Sequence, residues 1–261
     1  MTTNAGMQAM MQIALREWKR LLRQPSRVVA SVATPVMLWV FLAGGLSGAM
    51  RTGESQDGNY ALYLLPGVIA MTLMFSSIFA AISLIEDRNE GVLRVLLCAP
   101  VPTWAIVAGK IVGCSSIALA QALLVIPAAW VMGAHPGTSD ILVSIGVMVL
   151  LSAGLTGLCL ALAWRVNSSS GFHGVMNAIL MPMWFLSSAV FPLTTSSTWL
   201  KVAMYANPMT WPTVALRHSL VGWNMPVSAG VVWIATIVFG IAGAVFGWVV
   251  LSVGRRRGSA T

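Results

Sequence analysis

Six long apolar runs constrain the fold of this chain more than any other feature. A helix needs about 20 mainly apolar residues to cross the hydrocarbon core of a bilayer, and backbone polar groups there must be paired within the helix. Lys110 is the only charged residue within the runs. We therefore expect one all-α membrane domain over residues 1–261, with six transmembrane helices at 28–47, 60–85, 104–132, 141–164, 174–190 and 230–253.

The composition excludes a water-soluble surface. Only 8% of the residues are charged and the mean hydropathy is +0.83, whereas soluble domains carry roughly 25% charged residues. The net charge of +8 comes from cations at the ends of the apolar runs, not from a basic face in polar surroundings. We expect a lipid bilayer around the chain and no nucleic-acid partner.

The distribution of cations between the connecting segments predicts the orientation. Cytoplasmic loops of membrane proteins carry an excess of Lys and Arg. One side of the six predicted spans receives 12 of the 15 cations, and the other side receives only Arg51, Lys201 and Arg217. This predicts a multi-pass protein of the cell (inner or plasma) membrane with both termini in the cytoplasm. The polar N-terminus gives no sign of a cleavable secretory signal.

Residues 4–24 precede the first span and have the pattern of an amphipathic helix. Apolar residues recur at helical spacing, and Arg16, Lys19, Arg20 and Arg23 lie among the polar ones. Such a helix lies in the membrane interface with its basic face toward anionic headgroups. We expect this arrangement on the cytoplasmic side.

The segment 191–228 contains too many prolines for one spanning helix. Pro192, Pro208 and Pro212 interrupt it, and its Trp residues suit headgroup depth. We expect an external re-entrant hairpin of two short helices between spans five and six, which enters the outer leaflet without crossing it.

No catalytic or nucleotide-binding pattern is present. The Gly-Lys pair at Gly109 lacks the rest of a phosphate-binding loop. The three His residues fall in three different loops, and the three Cys residues show no CxxC spacing and read as buried thiols. The seven acids are all expected in the amphipathic helix or in loops. The sequence therefore predicts neither an enzyme nor a metal or cofactor bound by this chain.

A cytoplasmic segment at 86–103 is the best candidate for a docking element. It begins with three of the seven acids, Glu86, Asp87 and Glu90, and continues as a short amphipathic helix over about 90–97. Helical spacing would place Glu86, Glu90 and Arg94 on one face beside Leu93 and Leu97. Such a helix is shaped for the groove of a partner. The alternative is a charged loop that only fixes topology.

These residues resemble the ABC-2 type permeases, the membrane subunits of ATP-binding-cassette exporters of drugs, polysaccharides and nodulation factors. The resemblance covers essentially the whole chain, with one departure: Ser187-Ser188 stands where the family commonly has a Gly. The residues that carry it are Glu86, Glu90-Gly91, Leu93, Leu96-Leu97, Pro100-Val101-Pro102, Gly109-Lys110-Ile111, residues 181–193, Trp199-Leu200, Asn207-Pro208-Met209-Thr210, Leu216-Arg217 and Pro66-Gly67.

The resemblance implies the partners and the roles of the site residues. It implies two separate ATPase subunits, which would hold ATP and Mg, and a second permease copy, as a homodimer. The implied coupling residues are Glu86, Asp87, Arg88, Glu90, Gly91, Leu93, Arg94, Leu97 and Pro100. The implied external gate consists of Phe191, Pro192, Trp199 and Pro208. The expected cargo is hydrophobic or amphipathic: a drug, a lipid or a lipid-linked glycan.

Two other classes of function stay open on the residues alone. The first is an ATP-independent secondary transporter or membrane scaffold, which an ionisable residue at the bilayer midplane or an inverted repeat would favour. The second is an intramembrane enzyme, which needs a nucleophile–base or metal spacing that the sequence does not show. Co-purification of a soluble ATPase separates both from the exporter.

Overall fold

The computed structural model describes residues 3–46, 60–92, 101–194 and 196–258. These residues form helices and connecting segments, with no β-strand in the described part. The α-helices are α1 Thr3–Leu22, α2 Pro25–Leu46, α3 Tyr60–Asn89, α4 Thr103–Leu123, α5 Ala128–Val131, α6 Thr138–Trp164, α7 Ser169–Val175, α8 Met181–Trp184, α9 Thr198–Ala206, α10 Thr210–Val221 and α11 Ala229–Gly258.

Five of the helical stretches are long and apolar enough to cross a membrane. They are Pro25–Gly45, Tyr60–Asn89, Trp104–Val131, Thr138–Trp164 and Ala229–Val253. The all-helical membrane fold is therefore confirmed, and five of the six predicted spans coincide with these stretches. The second span is longer than predicted, because α3 continues through the charged residues 86–89.

The remaining predicted span, at 174–190, is not one regular α-helix. Here α7 and α8 alternate with the π-helical segments Met176–Leu180 and Phe185–Ala189. Pro182 cannot donate a backbone hydrogen bond, and Ser188 has a left-handed backbone with φ of 57°. These irregularities divide the run into pieces shorter than a membrane span.

The stretch 191–228 contains the two short helices that the prolines predicted, α9 of 9 residues and α10 of 12 residues. At 1.5 Å per residue, both are much shorter than a bilayer core of about 30 Å. The Asn207 amide between them donates to the Met183 carbonyl at 2.5 Å, and Thr210 donates to the Met204 carbonyl at 2.6 Å. These bonds join the pair of helices to each other and to α8.

The core is built around α3 and α6. The most apolar window of α3 is 89% buried, against 11% for that of α2 and 28% for that of α11. The helices α6 and α11 approach closely at Gly157, where an added Cβ would clash with the Gly243 carbonyl oxygen. Cys114 and Cys159 are buried free thiols, as predicted, and Cys98 lies outside the described residues. The apolar outer faces of α2 and α11 fit contact with lipid.

Candidate coupling site

A cluster of seven charged side chains joins α1 to the last turn of α3, the N-terminal end of α4 and the first turn of α2. We refer to it as the charge cluster. It contains three carboxylates and four cations: Glu17, Glu86, Asp87, Arg16, Arg20, Arg27 and Lys110. It thus holds three of the seven acids of the chain.

Asp87 and Lys110 form the centre of the charge cluster. Lys110 Nζ lies 2.7 Å from Asp87 Oδ2 and 3.1 Å from Glu17 Oε1, and it also donates to Ser83 Oγ at 3.2 Å. Asp87 further accepts from Arg16 and Arg20, at 2.6 Å each. The side chains of Asp87, Glu17 and Lys110 are 4%, 4% and 7% exposed. Each buried charge therefore has partners of opposite sign, as burial requires.

Glu86 extends the charge cluster toward α2. It accepts from Arg20 Nη2 at 2.7 Å and from Arg27. Burial by itself would lower the pKa of the Arg20 guanidinium, but the facing carboxylates of Asp87, Glu17 and Glu86 outweigh burial and raise the pKa above its ordinary value. The guanidinium consequently stays charged and joins two acidic residues of α3 to α1.

Close packing of α1 on α4 brings the charge cluster together. A Cβ added to Gly113 would lie 2.8 Å from the Ala14 Cα atom, so the two helices meet without a side chain between them at this point. Trp18 Nε1 donates to Ser116 Oγ at 2.9 Å on the same interface. Gly109 and Gly113 have the spacing that permits such close approach of helices.

This packing corrects the expected orientation of α1. The basic residues Arg16 and Arg20 face the acids of α3 instead of headgroups, because a buried carboxylate needs a paired cation. Lys19 and Arg23 remain exposed. The outward face also presents Met7, Met11, Leu15 and Leu22. The helix is amphipathic as predicted, but it packs against the protein along one side.

The acids of α3 require a second correction. Glu86 and Asp87 were expected in a loop, but both lie within the last turns of α3. The helix then ends at Asn89, and Gly91 has a left-handed backbone with φ of 78°. The helix that holds Glu86 therefore does not continue past Gly91, and Arg94 lies outside the described residues.

Arg88 connects the same end of α3 to α6. It donates to the Trp164 carbonyl at 2.9 Å and to the Val166 carbonyl, at the C-terminal end of α6. A cation is favourable there because helix C-termini leave carbonyl groups unpaired. Consecutive residues thus fix α3 on two sides: Asp87 toward α1 and α4, and Arg88 toward α6.

Glu90 is the first predicted coupling residue after this fixed end. Its side chain is exposed and has no ion-pair partner among the described residues. Gly91 is half-buried. Leu93, Arg94, Leu97 and Pro100 lie outside the described residues, so their role stays a prediction. Of the three acids near the start of the segment, only Glu90 is available to an outside partner.

The predicted gate residues lie in and around the two short helices after residue 190. Pro192 is buried and Phe191 is half-buried, whereas Trp199 is 72% exposed and Pro208 is exposed. They therefore do not form one buried cluster within this chain. Their gating role stays a prediction.

The sequence did point indirectly to two residues of the charge cluster that were not predicted as site residues. Lys110 is the only charge in the predicted spans, and Glu17 is the only acid of the basic helix. An ionisable residue within a span is costly unless it is paired. No group of three or more His, Cys, Asp or Glu side chains in the described part of the chain is arranged to hold a metal ion.

Comparison with known proteins agrees with this architecture. Residues 8–221 match the family model described as ABC-2 type transporter. The "Putative transport permease ycf38" of Pyropia yezoensis is 29% identical over 218 residues, which cover 82% of this chain and 73% of the relative.

Two Escherichia coli relatives are more distant or shorter matches. The "Probable multidrug ABC transporter permease YbhR" is 28% identical over 162 residues, 61% of this chain and 44% of that protein. The "Inner membrane transport permease YadH" is 24% identical over 257 residues, 93% of this chain and 96% of that protein. Because the family match spans most of the sequence, the chain belongs to the ABC-2 type transporter family and is a multi-pass transport permease of an ABC transporter, not a catalytic subunit.

Proposed function

We propose that this permease exports a hydrophobic or amphipathic cargo, using ATP hydrolysed by a separate ATPase. In the proposed assembly two copies of the chain form a homodimer in the cell membrane and bind two ATPase subunits, which hold the ATP and Mg. Each copy has six spans, and the irregular helical run at 174–190 supplies the fifth of them. The helices α9 and α10 form a re-entrant hairpin on the outside, and both termini lie in the cytoplasm.

The observation that carries the proposal is the contrast between Glu90 and the three residues 86–88. Glu86, Asp87 and Arg88 are held inside the permease, whereas the Glu90 carboxylate is exposed directly after the end of α3. A docking segment needs this combination of a free contact residue and a rigid attachment. We infer that Glu90 contacts a basic group of the ATPase and that Leu93 and Leu97 pack beside it.

The charge cluster would pass a movement of the docking segment into the membrane helices. A displacement at Glu90 acts on α3, which is ion-paired to α1 and α4 and hydrogen-bonded to α6. Nucleotide binding can shift the permease between states only if the ATPase contacts differ between those states. Rigid ion pairs would then make these helices respond together.

The proposed outward direction of transport and the proposed class of cargo are inferred from a relative and from the composition of the chain. One relative is named as a multidrug permease, and the chain offers 16 Met and 11 Trp residues for an adaptable apolar path. The charge cluster also contains buried ionisable groups, which a proton-coupled transporter could use. All of them are paired, and they lie at the ends of the helices that we propose to be cytoplasmic.

Co-purification from the native membrane tests the proposal. An affinity-tagged permease should recover a soluble ATPase in roughly equal amount, and permease reconstituted without it should not transport. Transport that persists without any ATPase and follows a proton gradient would support the ATP-independent alternative instead.

Cysteine labelling tests the proposed orientation separately. Cysteine at Ser55 or Ser197 should react with a membrane-impermeant maleimide in intact cells, and cysteine at Asn89 or Ser259 should react only after the membrane is opened. Labelling of Asn89→Cys from outside would refute both the orientation and the coupling role.

A further inference from the structure

Arg217 on α10 is a buried cation whose described partners are all uncharged. It is 6% exposed and forms no ion pair within the described residues. Its Nη2 donates to the Ser188 carbonyl at 2.8 Å and to the Tyr63 carbonyl at 3.3 Å. Its guanidinium carbon lies 3.8 Å from the centroid of the Tyr63 ring. Among the described residues, the buried positive charge therefore contacts only neutral carbonyls, the Ser188 hydroxyl and one aromatic face.

The surrounding backbone is shaped to hold this guanidinium. Ser188 has φ of 57°, which is unfavourable for a residue with a side chain. In this conformation its carbonyl oxygen accepts from Arg217 and also from the Tyr63 hydroxyl, at 2.8 Å. Strained backbone of this kind persists where the surrounding structure fixes it, and it occurs frequently at binding sites.

One donor of Arg217 has no partner among the residues that the structure describes. The Nε atom is buried and makes no hydrogen bond with any of them. Arg217 lines a pocket of about 10 Å³ together with Leu193, Val214, Trp223, Asn224 and Pro226. That volume admits roughly one water-sized group. Buried donors in native proteins normally have a partner, so an unpaired donor beside a small pocket indicates a missing acceptor.

We propose that this pocket binds one oxygen of a phosphate or carboxylate on the proposed outer side of the permease. The oxyanion would accept from Nε, neutralise the guanidinium charge and contact the exposed Asn224 amide. The pocket has room only for the oxygen, and an alkyl chain attached to the headgroup would lie outside it against the exposed Pro226, so an anionic amphiphile fits better than a free ion. This rests on the proposed function only in naming the amphiphile as the cargo class.

Trp223 provides a reporter for the test. Its ring lies 5.6 Å from that of Tyr63, and its carbonyl pairs with His218 Nδ1 at 2.9 Å. Purified permease in maltoside detergent, without any ATPase, is titrated with dodecyl phosphate while its tryptophan fluorescence is recorded. Additional dodecyl maltoside is the uncharged control, and inorganic phosphate is the chainless control. Because no ATPase is present, failure here leaves the coupling proposal untouched.

Dodecyl phosphate should give a saturable fluorescence change that is absent in Trp223→Phe. Its affinity should fall about tenfold or more in Arg217→Gln, with Arg217→Lys between the two. An equal response to inorganic phosphate would support the oxyanion site but assign it to a free ion.

Three results would overturn the proposal. The first is the absence of a saturable Trp223-dependent fluorescence change in the wild type, which would mean that the pocket holds only water. The second is the same change with the uncharged amphiphile. The third is binding of dodecyl phosphate only in the double variant Glu54→Gln/Asp57→Asn. The third result would mean that a carboxylate of the chain itself forms an ion pair with the Arg217 guanidinium. The wild-type titration remains decisive even if a variant at position 217 folds poorly.

Discussion

The two ends of α3 handle buried charge in opposite ways. At its C-terminal end, the central cation, Lys110, lies between two buried carboxylates, Glu17 and Asp87. At its N-terminal end, Arg217 is held by neutral groups and the ring of Tyr63, and one of its donors has no partner among the described residues. The first arrangement is complete without a ligand, and the second is not. The comparison indicates that the charge cluster stabilises the helix packing and that the surroundings of Arg217 are a candidate binding site.

The largest expected effect comes from breaking the charge cluster. Asp87→Asn removes the partner of Arg16, Arg20 and Lys110 and leaves buried cations short of negative charge. We expect the free energy of unfolding to fall by about 3–5 kcal/mol. Unfolding of the purified permease by a denaturing detergent measures this change.

Two controls belong to that measurement. Glu90→Gln removes an exposed, unpaired acid and should change stability by about 0.5 kcal/mol or less. Combining Asp87→Asn with Lys110→Met should cost less than the sum of the two single changes, because each removes the same interaction. Additive costs would show that the two residues do not act as a pair.

A smaller loss of stability is expected from separating α1 from α4. Gly113→Ala places a Cβ 2.8 Å from the Ala14 backbone, so α1 must move away from the charge cluster. We expect a loss of about 1–3 kcal/mol in the same unfolding assay.

Gly146→Ala in α6 is the matched control, since an added Cβ there meets nothing within 4 Å. It should be neutral or slightly stabilising, because alanine is the better helix former. An equal loss in both variants would mean that the close packing at Gly113 is not what matters.

Arg217→Met should have the smallest effect on stability, about 1 kcal/mol or less. The Ser188 carbonyl keeps the Tyr63 hydroxyl as a partner, and a methionine can still pack against the Tyr63 ring. Replacing a buried charge by an apolar side chain of similar size is often nearly neutral. If Arg217→Met lowered the free energy of unfolding as much as Asp87→Asn does, Arg217 would be a structural residue like those of the charge cluster, and the proposed difference between the two ends of α3 would be wrong.

The sequence predicted much of the fold because apolar length alone identifies a span. The five spanning stretches and the two short helices after residue 190 follow from uncharged runs and prolines. The turn at Ser188 could not be predicted, since its carbonyl accepts from Tyr63 and Arg217, which are distant in sequence. The apolar run at 174–190 also shows no pattern that indicates the π-helical segments.

The contacts of the charge cluster could not be predicted from the sequence, although Glu86 and Asp87 belong to the segment that the sequence singles out. Glu86, Asp87 and Glu90 looked equivalent as neighbouring acids, and only the packing of α1 shows that two of them face inward. Pairing across more than 60 positions, as between Arg20 and Glu86, leaves no local pattern. The single acid of α1, Glu17, and the single cation of the predicted spans, Lys110, were the only sequence features that indicated the pairing.

The central claim is that Glu90, which is exposed directly after the ion-paired end of α3, contacts the ATPase. Recovery of the ATPase by tagged wild-type permease and by Glu90→Lys in one detergent tests it most directly, with Lys201→Glu as a charge reversal on the opposite side. A charge clash at a buried contact costs several kcal/mol, so Glu90→Lys should recover on the order of a hundredfold less ATPase. Its stability should be unchanged, and Lys201→Glu should recover ATPase like the wild type. Equal recovery by Glu90→Lys and wild type would contradict the account and leave the segment as a loop that only fixes topology.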